Sequence, residues 1–167
     1  MNPNDGLKEF HLSKEAAKKL KNRAALKKEI SSGKTAQEIL GFTDSAMDAF
    51  YRAAETLLNG RRYDDALNAF LFLITMNPHH HDYWIGLGMS VQMVGDYQSA
   101  LDAYEIAAMY EVENPIPYFQ LAKCFMELHD RENTREAFLL VIEYAGDSKK
   151  YASLKKEAKK ALKLLDD

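Results

Sequence analysis

Large aromatic, small and branched apolar residues return along this chain at a fixed interval of 34 residues. Phe50, Trp84 and Tyr118 share one register. Ala54, Gly88 and Ala122 follow four places on, and Leu57, Val91 and Phe125 three places after those. Offsets of four and three put such side chains on one face of a helix. A second set repeats in step: Tyr63, Tyr97 and Arg131, then Ala66, Ala100 and Thr134, then Phe70, Tyr104 and Phe138. Each unit is therefore predicted to be a pair of helices, three pairs in all. The small residues mark close approach: a side chain at Gly88 would push the neighbouring helix away, and Ala66 and Ala100 play the same part. Aromatics four residues later fill the remaining space.

Repeat arrays need terminal elements that cover the ends of the stacked core. After Ser148 as N-cap, Tyr151, Leu154, Ala158, Ala161, Leu162 and Leu165 recur at helical spacing, opposite Lys155, Lys156, Lys159, Lys160 and Lys163. The pattern predicts an amphipathic capping helix over 148–167. At the other end, Ser13 to Ile30 reads as one lysine-rich helix with a modest apolar strip of Ala17, Leu20, Ala24 and Ile30. Thr35-Ala-Gln-Glu38 is a capping box opening a short turn that Gly41 can close. Residues 1 to about 12 show no periodicity and are expected to be mobile. The division is thus 1–42 for the N-terminus and helical extension, 43–147 for three repeats and 148–167 for the cap.

A chain of 167 residues has the length of one domain and buries roughly two-thirds of its unfolded surface. Abundant Ala, Leu, Lys and Glu favour helices over strands, so the fold class is all-α. The net charge of −3 conceals an uneven layout. Residues 1–42 carry 9 basic and 5 acidic side chains, 43–147 carry 6 and 17, and 148–167 carry 7 and 3, giving blocks of +4, −11 and +4. An acidic body repels phosphate, so no nucleic-acid partner is expected; the basic stretch Lys14 to Lys28 reads as a solvated face. The lone Cys124 cannot form an intramolecular disulfide, which fits a reducing compartment. The first residues lack the apolar core of a signal peptide, and no stretch approaches the roughly 18 apolar residues of a membrane span. A cytoplasmic protein without membrane insertion is the expectation.

Candidate chemistry is sparse. No phosphate-binding Gly-rich loop, H-E-x-x-H or G-x-S-x-G occurs, so neither catalysis nor a cofactor is expected. His79-His80-His81 is the one tempting cluster, but three consecutive side chains on a turn cannot all converge on one ion, and the turn reads as a polar inter-repeat loop with no metal. Cys124, between Leu121 and Phe125, reads as a buried small hydrophobe. Asp64, Asp65, Glu111 and Glu113 fall at turns and helix ends, where solvated acids are ordinary.

The stronger signal lies on the first helix of each pair, which lines the concave side of such a stack. Residues four then three apart form the facing stripes: Tyr51, Glu55 and Leu58; Ile85, Met89 and Gln92; Phe119, Lys123 and Met126. Two-thirds of these are apolar, whereas a face meant for water would be mostly charged. The stripes therefore predict a site for a partner that buries hydrophobic side chains, and Met89 and Met126 add adaptable surface.

The middle unit, Trp84-x2-Leu87-Gly88-x2-Val91 then Ala100-x3-Tyr104, resembles the tetratricopeptide signature; Pro78 closes unit one, whereas Val112 and Gly146 hold that place in units two and three. Over roughly residues 34–147 the chain further resembles the class II chaperones of bacterial type III secretion. The resemblance rests on Tyr83-Trp84-Ile85-Gly86-Leu87-Gly88 with Gly95-Asp96-Tyr97, on Glu113-Asn114-Pro115-x-Pro117, on Ala122-x-Cys124 and on Gly60-x-x-Tyr63-x-x-Ala66. It implies three repeats in a short right-handed superhelix, a groove for an extended Pro- and Leu-rich segment of hydrophobic translocator proteins, storage in the bacterial cytoplasm, and a helical extension used for self-association as a homodimer. Tyr51 and Tyr63 match groove tyrosines of the family, while Glu55 and Leu58 depart from its aromatics. The alternative is a generic tetratricopeptide adaptor or regulatory module. A co-chaperone clamp for a C-terminal carboxylate is absent, since its Lys, Asn and Arg places hold Tyr51, Glu55, Gly86, Ile116 and Gln120.

Overall fold

The computed structural model describes residues 14–166, with the side chain of Asp166 excluded. The stretch expected to be mobile, residues 1 to about 12, lies outside the described residues. Helices α1 (Lys14–Lys21), α2 (Arg23–Ser31) and α3 (Ala36–Leu40) precede three antiparallel pairs. These are α4 (Asp44–Asn59) with α5 (Tyr63–Met76), α6 (His81–Met93) with α7 (Tyr97–Tyr110), and α8 (Pro115–Glu127) with α9 (Arg131–Ala145). A 3-10 turn, Lys149–Tyr151, leads into α10 (Ala152–Asp166). From α4 onward each helix packs on the next, giving an all-α, right-handed superhelix of tetratricopeptide type with a helical extension and a C-terminal cap.

The period of 34 is visible in the packing. Phe70, Tyr104 and Phe138 are 1%, 0% and 2% exposed, and Ala54, Ala66, Ala100 and Ala122 are fully buried beside them. Burying each such ring stabilises the fold by roughly 1.5–3 kcal/mol. A Cβ at Gly88 would lie 2.6 Å from Tyr104, as the repeat pattern anticipates. Gly86 is tighter still: its Cβ would lie 2.1 Å from Phe70. Helix α6 is therefore gripped by the preceding helix at Gly86 and the following one at Gly88. The polar tips of the periodic aromatics tie down the turns between repeats. Trp84 Nε1 donates to the Pro78 carbonyl at 2.7 Å, and Tyr118 Oη donates to the Val112 carbonyl at 2.9 Å, each six residues upstream.

Two sequence expectations need correction. The N-terminal helix is broken: Asn22 leaves the helical conformation, and its side chain accepts from Ala25 N at 3.2 Å, so a capping residue inside the lysine-rich run starts a second helix. At the other end Ser148 makes no side-chain cap and opens only the 3-10 turn, so the long helix begins at Ala152. Its apolar face is as expected, with Ala158 fully buried and Leu154, Ala161, Leu162 and Leu165 packed on the core. The Thr35–Glu38 capping box and left-handed Gly41 are both present around α3. Gln37 then joins this short helix to the repeats, donating to Asp44 at 2.8 Å and accepting from Asn77 at 3.2 Å.

Candidate binding groove

Along the first helices, α4, α6 and α8, the three stripes form an open face rather than an enclosed cavity. Tyr51, Ile85 and Phe119 occupy one register, and all three are half-buried. Tyr51 meets the Phe70 ring edge-on at 6.1 Å and Phe119 meets Phe138 likewise at 5.9 Å, so each rests on the large aromatic of its own repeat. Ile85 and Met89 pack against the core cluster that contains Tyr104. These side chains make a floor that is partly core and partly surface. Leu58 is half-buried against the first-repeat core.

Gln92 accepts a hydrogen bond from Tyr104 Oη at 2.7 Å, which orients its amide and leaves the NH2 as donor. Lys123 is exposed, and Met126 is 45% exposed at the third-repeat rim. Tyr63 opens α5 just past the α4–α5 turn and is half-buried; it stands on a second helix, apart from the stripes.

The face is electrically uneven. Burial first, then the charges of Asp82 and Glu55, hold the Tyr51 hydroxyl above its ordinary value. Burial, then Asp48, Asp44 and Asp82, do the same for Tyr83. Both remain neutral hydrogen-bonding phenols at physiological pH, set among carboxylates. Tyr83, its ring tilted by 35° to that of Tyr51 at 5.8 Å, was not among the sequence candidates. The clue was available in Asp48 and Asp82, which stand 34 residues apart at the mouths of neighbouring first helices. At the far end, Lys123 reverses the sign.

Cys124 is fully buried and its thiol is pushed up to about 11, chiefly by burial, so it behaves as a small hydrophobe rather than a nucleophile. The histidine turn does not bring all three rings together: His79 lies against Tyr110 instead. His80 is the extended N-cap of α6 and His81 its first residue, and their rings run parallel within 3° at 6.2 Å. A separate cleft of about 400 Å³ lies between the N-terminal helices and the end of α5, lined by Leu20, Leu26, Ile30, Ile39, Leu40 and Pro78. Leu20 and Ile30 there are 43% and 58% exposed. Among the described residues, no helix is long and apolar enough to cross a membrane.

Known proteins share these features. Residues 81–114, the second helix pair, match the tetratricopeptide repeat family model. The chain is 29% identical over 118 residues to the chaperone protein SicA of Salmonella typhimurium, covering 71% of this chain and 72% of SicA. The type III secretion translocator chaperone SycD of Yersinia enterocolitica superposes with a TM-score of 0.76 at 19% identity, over 78% of this chain and 98% of SycD. PcrH of Pseudomonas aeruginosa, solved with the chaperone-binding region of PopD, superposes with a TM-score of 0.73 at 23% identity, over 75% and 95% of the two chains. SicA and SycD are chaperones, not enzymes. Sequence kinship and fold together make this chain similar to the chaperones SicA and SycD, with a fold of tetratricopeptide type.

Proposed function

We propose that the groove holds an extended segment of a hydrophobic type III translocator in the bacterial cytoplasm and keeps it soluble and competent for secretion. The observation that carries this reading is the row Tyr51, Ile85 and Phe119: three apolar side chains in one register, half-buried on an open face. Spaced one repeat apart, they suit alternating anchors of an extended chain better than the surface of a folded domain. Leu58, Met89 and Met126 extend the apolar contact, Gln92 offers an amide to a peptide backbone, and Lys123 and Tyr63 stand at its margins. PcrH, of the same fold, binds a segment of PopD, which supports an analogous occupant here.

The test is co-expression with the translocators encoded beside this gene, followed by co-purification. Soluble one-to-one complexes are expected. A translocator that remains insoluble and leaves the chain unbound would contradict the proposal. Self-association is part of the same reading, since Leu20 and Ile30 leave apolar surface on a basic extension and the repeats are acidic. SycD has been crystallised in an alternative dimer. A weak, salt-sensitive homodimer is expected that dissociates when residues 1–33 are deleted, with client binding retained. Sedimentation equilibrium showing a full-length monomer at high micromolar concentration, or a dimeric truncation, would contradict that interface.

A further inference from the structure

Away from the groove floor, the turn from α5 into α6 gathers nitrogen and oxygen donors that the chaperone reading leaves unused. We propose that His80, His81 and Asp82 bind a divalent transition-metal ion, zinc foremost, and that Glu111 orients His81 for it.

The conflict around His81 points to a cation. Its ring is only 15% exposed and stands between two carboxylates: Nε2 is 3.1 Å from Asp82 Oδ1, and Nδ1 is 3.0 Å from Glu111 Oε1. A neutral imidazole has one N–H. With that proton on Nδ1 and donated to Glu111, the Nε2 lone pair faces a carboxylate oxygen. Asn114 Nδ2, 3.3 Å from Nε2, relieves this weakly, being shared with Glu111 at 3.1 Å. An ion between Nε2 and Oδ1 removes the conflict altogether.

The distances suit zinc. Bonds of about 2.0–2.1 Å at tetrahedral angles place neighbouring donors roughly 3.3 Å apart, close to the Nε2–Oδ1 separation. One donor atom from each of His80, His81 and Asp82 lies within 4.8 Å of the others, and the His80 ring is held by stacking on Tyr83 at 4.3 Å. Water would take the fourth position. Two imidazoles and a carboxylate form a borderline donor set, suited to zinc, nickel or copper rather than to calcium or magnesium. The carboxylate on the far nitrogen of a ligating histidine is the usual outer support of such sites, and Glu111 holds that position.

The scaffold is fixed from both sides. Trp84 anchors the turn through Pro78, and Tyr110 Oη lies 3.3 Å from His79 Nδ1, linking the turn to the end of α7 that carries Glu111. Lys150, whose ammonium lies over the Tyr151 ring at 4.8 Å, is near enough to interact with Asp82 and Glu111.

The experiment is calorimetric titration of the full, tag-free chain with zinc chloride, with cobalt(II) absorption as a geometric readout. Equimolar, micromolar binding and a tetrahedral cobalt band are expected. His81→Ala should abolish both. His80→Ala and Asp82→Asn should each weaken binding at least tenfold, and Glu111→Gln by about tenfold, while His79→Ala leaves it unchanged. Melting curves in chelator check that each variant folds. Absence of saturable binding would overturn the proposal. So would equal binding by the His81→Ala chain.

Discussion

Repeat two carries the fullest form of the periodic pattern, and its two glycines receive rings from opposite sides, Phe70 at Gly86 and Tyr104 at Gly88. Repeat three departs from the pattern at Arg131, Thr134 and Gly146, of which Arg131 and Gly146 contact α10. Arg131 donates to the Leu165 carbonyl at the C-terminal end of α10, where a cation also complements the helix dipole. Thr134, 1% exposed, replaces the small alanine and satisfies its hydroxyl on the Asp130 carbonyl at 2.6 Å. Gly146 accepts from Lys155 of the same capping helix. At Arg131 and Gly146, departure from the repeat thus follows the capping helix that each residue meets.

The sharpest way to break that contrast is to fill a glycine of repeat two. Gly88→Leu forces side-chain volume into the Tyr104 ring, and overpacking of this kind typically costs about 1–3 kcal/mol. Ala122 occupies the equivalent place in repeat three without a clash, so Ala122→Gly should cost only about 1 kcal/mol, the helix propensity of glycine. Urea denaturation compares them directly; a Gly88→Leu chain with wild-type stability would mean that the grip on α6 is not as described.

A smaller effect is expected at the end of the array. Arg131→Ala should lose up to about 1 kcal/mol, because one exposed hydrogen bond and a dipole contact are removed. The loss should appear as faster amide exchange in α10 while α6 and α7 remain protected. Uniform acceleration across the repeats would separate Arg131 from the capping role.

The smallest effect concerns the turns inside the pairs. Arg61, Gly95 and His129 share a register and have φ of 59°, 89° and 59°, so only repeat two uses the residue that tolerates this conformation. Arg61→Gly should raise stability by about 0.5 kcal/mol, relief of left-handed strain being partly offset by the entropy glycine loses on folding. Gly95→Ala should lower it. Thermal melts in which both substitutions shift in the same direction would contradict the shared turn geometry.

The helix pairs were legible because a period of 34 with offsets of four and three has no other reading. Gly86 escaped notice because its partner, Phe70, lies in the preceding repeat, and a signature read within one unit does not display that contact. The break at Asn22 was hidden by lysines that continue on both sides of it. The parallel placement of His80 and His81 depends on the extended backbone of the N-cap, which the histidine triplet does not announce. For the groove, the stripes named the residues on the first helices but not their depth. Tyr51 and Phe119 lean on rings of their second helices, and only tertiary packing decides how much of each remains for a partner.

The central claim is that this half-buried apolar row receives an extended client segment, and calorimetry with a translocator peptide tests it most directly. Ile85→Asp or Phe119→Asp sets a carboxylate against apolar ligand side chains and should weaken binding at least roughly tenfold, about 1.4 kcal/mol. Met126→Asp, at the exposed rim, should weaken it less and carries little risk to the fold. Circular dichroism establishes that each variant is folded before titration. Graded loss from floor to rim is the predicted result. Wild-type affinity in a folded Ile85→Asp or Phe119→Asp chain would contradict the account and put the client elsewhere.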